Sequence, residues 1–62
     1  MDEYYYVIYM RYGPPIKSGG SAGTTEQNVE FRARQHFEQL ERMYAGQPEG
    51  PTRYEVRRGK PY

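Results

Sequence analysis

The chain has 62 residues, a net charge of +1 and no cysteine. This length allows one domain, residues 1–62, and the lack of cysteine excludes disulfides and zinc–thiolate sites. A near-neutral charge is untypical of a nucleic-acid-binding domain. No run of about 18 apolar residues is present, and no segment has the pattern of a secretory signal. The sequence therefore predicts a cytoplasmic protein with no membrane partner.

The first segment, residues 4–12, contains five tyrosines and predicts a long β-strand over residues 3–12. Its even positions are apolar or aromatic throughout, so we expect this face to pack into the core. Its odd positions are apolar only at the centre, at Tyr5, Val7 and Tyr9. One small helix covers only one face of a sheet. The odd face is therefore predicted to bind a partner.

A Gly/Pro-rich loop over residues 13–23 follows, since Gly13-Pro14-Pro15 ends the strand. The loop is longer than most connections, which leaves room for a short strand or extended arm around Ile16. Its glycines precede a helix N-terminus, where anions are favoured, but their spacing matches neither a P-loop nor a dinucleotide-binding motif. A flexible linker is the preferred interpretation.

A helix is predicted over residues 24–45. Thr24 to Gln27 fits a capping box, and Gly46 suits the position after the helix ends. One arc of the helix is apolar and forms the expected core stripe. The stripe consists of Val29, Ala33, His36, Phe37, Leu40, Met43 and Tyr44.

Phe31 does not belong to this stripe. It lies about 200° from Val29 on a helical wheel, among charged residues. Because aromatic residues are enriched at interface centres, Phe31 is predicted to be a second partner contact. The alternative is that the helix starts later and Phe31 tucks under the Gly-rich loop.

A turn over 46–51 leads to a second strand over 52–58 and a loose tail over 59–62. The strand alternates cleanly, which predicts one buried face and one solvated face. A basic cluster at this end offers an alternative site, because arginines and surface tyrosines together bind nucleic acids. Glu55 interrupts the cluster, so a solvated strand face is preferred. The candidate nucleic-acid-binding residues are Arg53, Arg57, Arg58 and Lys60.

The element order strand–helix–strand predicts a small α+β domain of βαβ type, with one amphipathic helix packed on a short sheet. If the two strands pair directly, the pairing is expected to be parallel with a right-handed crossover. Two strands and one helix make a marginal domain. We therefore expect a homodimer, in which the first strand pairs with its twin and the sheet gains two strands.

No catalytic, cofactor-binding or metal-binding constellation is predicted, and His36 is the single histidine. Arginine outnumbers lysine seven to two, asparagine occurs once, and glycine and proline are frequent, as in a GC-rich coding sequence. In size and composition the chain resembles small accessory proteins of actinobacterial phages. The resemblance implies a non-enzymatic interaction protein that binds a host or phage protein in the host cytoplasm. The alternative is a nucleic-acid-binding module.

Overall fold

The computed structural model describes residues 3–19 and 25–59. Strands β1 (Tyr4–Met10) and β2 (Ile16–Gly19) come first, followed by helix α1 (Glu26–Met43) and strand β3 (Pro51–Arg58). The strands form one sheet in the order β2-β1-β3, and the helix packs against β1 and β3. The predicted small α+β domain, with one helix on a short sheet, is confirmed.

The predicted parallel pairing of the first and last strands is wrong. β1 runs antiparallel to both β2 and β3. The reason is β2, which lies in the loop that leaves room for a short strand and reverses the chain before the helix begins. β2, α1 and β3 therefore form the crossover unit, and β1 is inserted between its two strands.

The central place of β1 also removes the expected route to a dimer. Tyr6 pairs with Ser18 on one side and with Val56 on the other. Since both edges of β1 are occupied, a twin copy of β1 has no free edge to join. The edges of this sheet belong to β2 and β3.

The element boundaries differ from the predictions by one or two residues, the usual uncertainty at element ends. β1 ends at Met10 instead of residue 12, and α1 begins at Glu26. The N-cap is Thr25, whose Oγ1 accepts a hydrogen bond from the Asn28 N–H at 3.2 Å. The predicted cap, Thr24, lies outside the described residues.

The element boundaries after the helix are also close to the predicted ones. Gly46 follows the helix with φ of 79°, a left-handed conformation that glycine adopts without strain. β3 begins one residue early, at Pro51. Of the predicted tail, Gly59 donates a backbone hydrogen bond to the Glu3 carbonyl at 2.8 Å, and residues 60–62 lie outside the described part.

The core lies between α1 and the even-numbered face of β1. Ile8, Val29 and Ala33 are fully buried there, together with Tyr6 and Leu40. The predicted stripe is correct except at Met43, which is 64% exposed because it is the last residue of the helix. Partly buried side chains complete the layer. They are Tyr4, Met10, Ile16, Phe37, Tyr44, Tyr54 and Val56.

Candidate functional site: the open face of the sheet

The sheet has one face without a helix, and it carries the odd-numbered residues of β1. Because Tyr6 and Ile8 point into the core, Tyr5, Val7 and Tyr9 point away from the helix. Their cross-strand neighbours share this side. We define the open face by these residues: Lys17 on β2, Tyr5, Val7 and Tyr9 on β1, and Arg53, Glu55 and Arg57 on β3.

The apolar centre of the open face is already covered by the chain itself. Val7 is only 1% exposed and Tyr5 only 9%. Val7 lies between Lys17 and Glu55, and Tyr5 lies opposite Arg57. Long charged side chains cover apolar surface with their aliphatic stems while their charged ends stay in water. A polar substitution at Val7 therefore tests folding before it tests binding.

Glu55 is the centre of a polar network on this face. The Tyr9 hydroxyl donates a hydrogen bond to Glu55 Oε1 at 2.7 Å, and Arg57 donates to the same hydroxyl at 2.6 Å. Arg57 also forms an ion pair with Glu55, and Arg53 approaches the second carboxylate oxygen at 3.4 Å. The Arg53 guanidinium lies 4.0 Å from the centre of the Tyr9 ring, a cation–π contact.

The network changes the acidity of its members. The hydrogen bond from Tyr9, followed by that from Arg57, holds the pKa of Glu55 below its ordinary value. The hydrogen bond to Glu55 raises the pKa of Tyr9. Hydrogen bonds with Tyr5 and Glu55 raise the pKa of Arg57. At neutral pH the face therefore carries a carboxylate, a neutral phenol and two guanidinium groups, all held together.

These shifts predict a loss of stability in acid. A carboxyl whose pKa is lowered by folding stabilises the protein above its unfolded pKa, and this contribution disappears as the pH falls through its folded pKa. The difference in urea midpoint between wild type and Glu55→Gln should thus be constant above about pH 6, and it should shrink as the pH falls below the ordinary glutamate pKa of about 4.3 and through the lower folded pKa of Glu55. In a Tyr9→Phe background the difference should be smaller at neutral pH and change less with acid, because the main cause of the shift in the Glu55 pKa is removed. A difference that stays constant with pH would contradict the assignment.

At alkaline pH the contribution of the network to stability falls as the pH rises, which is opposite to its dependence in acid. The pKa of Tyr9 is raised by folding, so its contribution is complete below about pH 10 and is lost as the pH rises through its folded pKa. Both groups are open to solvent, which screens such interactions. We therefore expect shifts in the unfolding midpoint and no global unfolding.

The predicted partner-binding residues do not share one surface. Tyr5, Val7 and Tyr9 lie on the open face, whereas Phe31 is on α1, which covers the opposite side of the sheet. Phe31 is 58% exposed, and α1 begins at Glu26, so the later helix start on which the alternative for Phe31 depended is wrong. A single flat contact with the open face therefore does not include Phe31.

The predicted basic cluster is also divided. Arg53 and Arg57 lie on the open face, but Arg58 pairs with Tyr4 and belongs to the helix side of β3. Lys60 lies outside the described residues. The sequence does not point to two members of the open face: Lys17 lies in the predicted linker, and Glu55 interrupts the predicted basic cluster. Only the strand register, which places both opposite Val7, reveals them.

Other chemistry is limited in the described part. The His36 Nδ1 lies 2.8 Å from the Tyr6 hydroxyl, with the rings edge to face, which is a structural contact of the core. Among residues 3–19 and 25–59, no three acidic or histidine side chains gather as metal ligands, and no helix is long and apolar enough to cross a membrane. Comparisons with protein-family models, curated proteins and solved structures found no match.

Proposed function

We propose that this chain is a small non-enzymatic interaction protein that binds an acidic protein surface through the open face of its sheet. The observation that carries the proposal is the arrangement of Tyr9, Arg53 and Arg57 around Glu55. Tyrosine and arginine are enriched in protein interfaces and dominate their binding energy.

The charge of the open face favours an acidic partner. Three cations, Lys17, Arg53 and Arg57, stand against one carboxylate, Glu55, which leaves two positive charges. The side chains of Arg53 and Arg57 are 61% and 47% exposed. Because Val7 and Tyr5 are buried, recognition depends on charge and hydrogen bonding more than on apolar contact.

The network also prepares these arginines for binding. Binding costs entropy when it immobilises long side chains, and a side chain already held in place loses less. Arg57 is held by Glu55 and Tyr9, and Arg53 rests on the Tyr9 ring. This supports a role for the polar network in presenting donors to a partner as well as in covering Val7.

The compositional resemblance supports a biological setting for this role. Small accessory proteins of phages act by binding host or phage proteins. An accessory protein of this kind would meet its partner in the host cytoplasm, and the charged open face suits an acidic patch on such a protein.

The test is an NMR titration of the folded protein with a short oligoglutamate peptide. We expect amide shift changes along β1 and β3, and we expect Arg53→Glu to weaken binding about tenfold or more, the loss typical of an interface hot spot. Arg34→Glu, an exposed arginine on α1, is the matched control and should leave the affinity within about threefold. Equal losses in the two variants, or no binding by wild type, would reject the proposal.

A nucleic-acid-binding module is the second candidate. One observation favours it: the Arg53 guanidinium stacks on the Tyr9 ring on a helix-free antiparallel face, an arrangement that suits bases and phosphates. The burial of Tyr5, the central Glu55 and the position of Arg58 on the other side of β3 speak against it. A single-stranded oligonucleotide that binds with a steep salt dependence, where oligoglutamate does not, would support this candidate instead.

A further inference from the structure

The longest strand of the sheet, β3, is also an edge strand. It has eight residues, and within residues 3–19 and 25–59 no strand pairs with its outer side. An edge of this length presents a row of backbone donors and acceptors that can pair with another chain. The charged side chains of β3 determine which kind of strand can pair with this edge.

The backbone groups that face outward can be identified from the register. Gly59 donates a backbone hydrogen bond to Glu3 at 2.8 Å, so residue 59 points toward β1. In an antiparallel ladder, successive residues alternate between pointing toward and away from the neighbouring strand. Residues 53, 55 and 57 therefore bond to β1, and the N–H and C=O groups of Tyr54 and Val56 point outward.

We propose that two copies of this chain associate through the outer edges of β3, antiparallel, about a two-fold axis at Val56. Val56 of one copy then pairs with Val56 of the other and exchanges both backbone hydrogen bonds. In this register Glu55 of each copy lies directly opposite Arg57 of the other. Opposite charges in directly opposed positions stabilise a strand pair, and the symmetry forms this pair twice.

Comparison with the neighbouring register shows that the charges on β3 favour one alignment of the two strands over another. With the axis at Glu55, the two Glu55 side chains would oppose each other and Arg53 would oppose Arg57. Like charges in directly opposed positions are destabilising. The sequence Arg53-Tyr54-Glu55-Val56-Arg57 is therefore self-complementary about Val56 and not about Glu55.

The half-buried state of Val56 agrees with this arrangement. Its side chain lies on the helix side of the sheet and packs only partly into the core. A second Val56 at the axis would cover its remaining apolar surface. The two sheets would continue as one, with order β2-β1-β3-β3-β1-β2, and both open faces would lie on the same side.

This association uses the strand edge and does not rest on the proposed function. In the Val56 register Arg53 lies opposite Gly59, which has no side-chain charge. Arg53→Glu should therefore weaken peptide binding about tenfold or more and leave the dimer intact. Failure of one proposal leaves the other standing.

The test is a charge exchange measured by sedimentation equilibrium. Wild type should have about twice its monomer mass of 7.4 kDa at concentrations of about 100 μM. Glu55→Arg alone places two arginines opposite each other, and Arg57→Glu alone places two glutamates opposite each other. We expect each to weaken the dimer about tenfold or more. The double variant Glu55→Arg/Arg57→Glu restores opposite charges and should recover the wild-type affinity within about threefold.

Circular dichroism on every variant shows whether it is folded. The double variant shows whether a single variant loses the dimer because of its charge or because the substitution damages the strand. It contains both substitutions and should still dimerise. The proposal is overturned by a monomeric wild type, by single variants that dimerise like wild type, or by a folded double variant that remains monomeric. Arg53→Glu should retain the dimer. Its loss there would contradict the axis at Val56 and point to an axis at Tyr54, where Arg53 opposes Glu55, or to an interface on the open face.

Discussion

Replacing Ile8 by alanine is expected to unfold most of the protein at room temperature. Ile8 is 0% exposed and lies in the central strand, directly under the helix. Truncating a buried isoleucine to alanine costs about 2–5 kcal/mol, because transfer free energy is lost and a cavity remains. A domain of this size rarely has more than roughly 3–5 kcal/mol of net stability. One core side chain therefore accounts for most of the total.

The measurement is urea denaturation followed by far-ultraviolet circular dichroism. Ile16→Ala is the matched control, because it removes the same atoms from the half-buried edge strand β2. We expect Ile16→Ala to cost clearly less than Ile8→Ala, since a partly exposed site loses less transfer energy and can relax. Equal losses at the two positions would mean that β2 carries as much of the core as β1.

The fold class could be predicted from the sequence because its determinants are local. The tyrosine-rich segment has the composition of a strand, and Val29, Ala33 and Leu40 recur at helical spacing. β1 and α1 can therefore each be recognised from a few neighbouring residues. The side of β1 that packs on the helix could also be assigned. The even face has no charged residue, and Tyr6 and Ile8 do lie in the core.

The topology could not be predicted in the same way, because it depends on a four-residue strand. Ile16–Gly19 contains one strongly apolar residue and two with low strand propensity, Lys17 and Gly19. It pairs because β1 offers a long regular edge. Once β2 is present, the chain reverses once more before the helix, and β3 must run antiparallel to β1. A weak local signal thus sets the direction of the last strand.

The sequence indicates which face of β1 has no helix on it, but it does not indicate which side chains form the surface of that face. The odd face of β1 is free of the helix, as its surplus of tyrosine and valine suggested. The burial of Val7 depends on residues that lie 10 and 48 positions away in the sequence, Lys17 and Glu55. Their arrangement follows from the register, and register cannot be read from composition. What looked like an apolar patch is therefore a charged network over a small apolar layer.

Tyr6 should tolerate loss of its hydroxyl far better than loss of its ring. Tyr6 is 6% exposed, packs with Ile8 and Val29 in the core, and contacts His36 edge to face. Replacing a buried aromatic residue by alanine costs about 3–5 kcal/mol. That loss equals the roughly 3–5 kcal/mol available to a domain of this size. We expect Tyr6→Ala to be unfolded without denaturant, as measured by circular dichroism and by the dispersion of its proton NMR spectrum.

Tyr6→Phe isolates the hydroxyl, because the ring stays in the core. It removes the 2.8 Å hydrogen bond to His36 Nδ1, and a typical hydrogen bond contributes about 0.5–1.5 kcal/mol. Because His36 is only half-buried, water can replace the lost hydroxyl, and the loss of stability should lie near the lower end of that range. The variant should remain folded, with a slightly lower urea midpoint. If Tyr6→Phe unfolded the protein as Tyr6→Ala does, the polar contact with His36, and not the buried ring, would be what fixes the helix to the central strand.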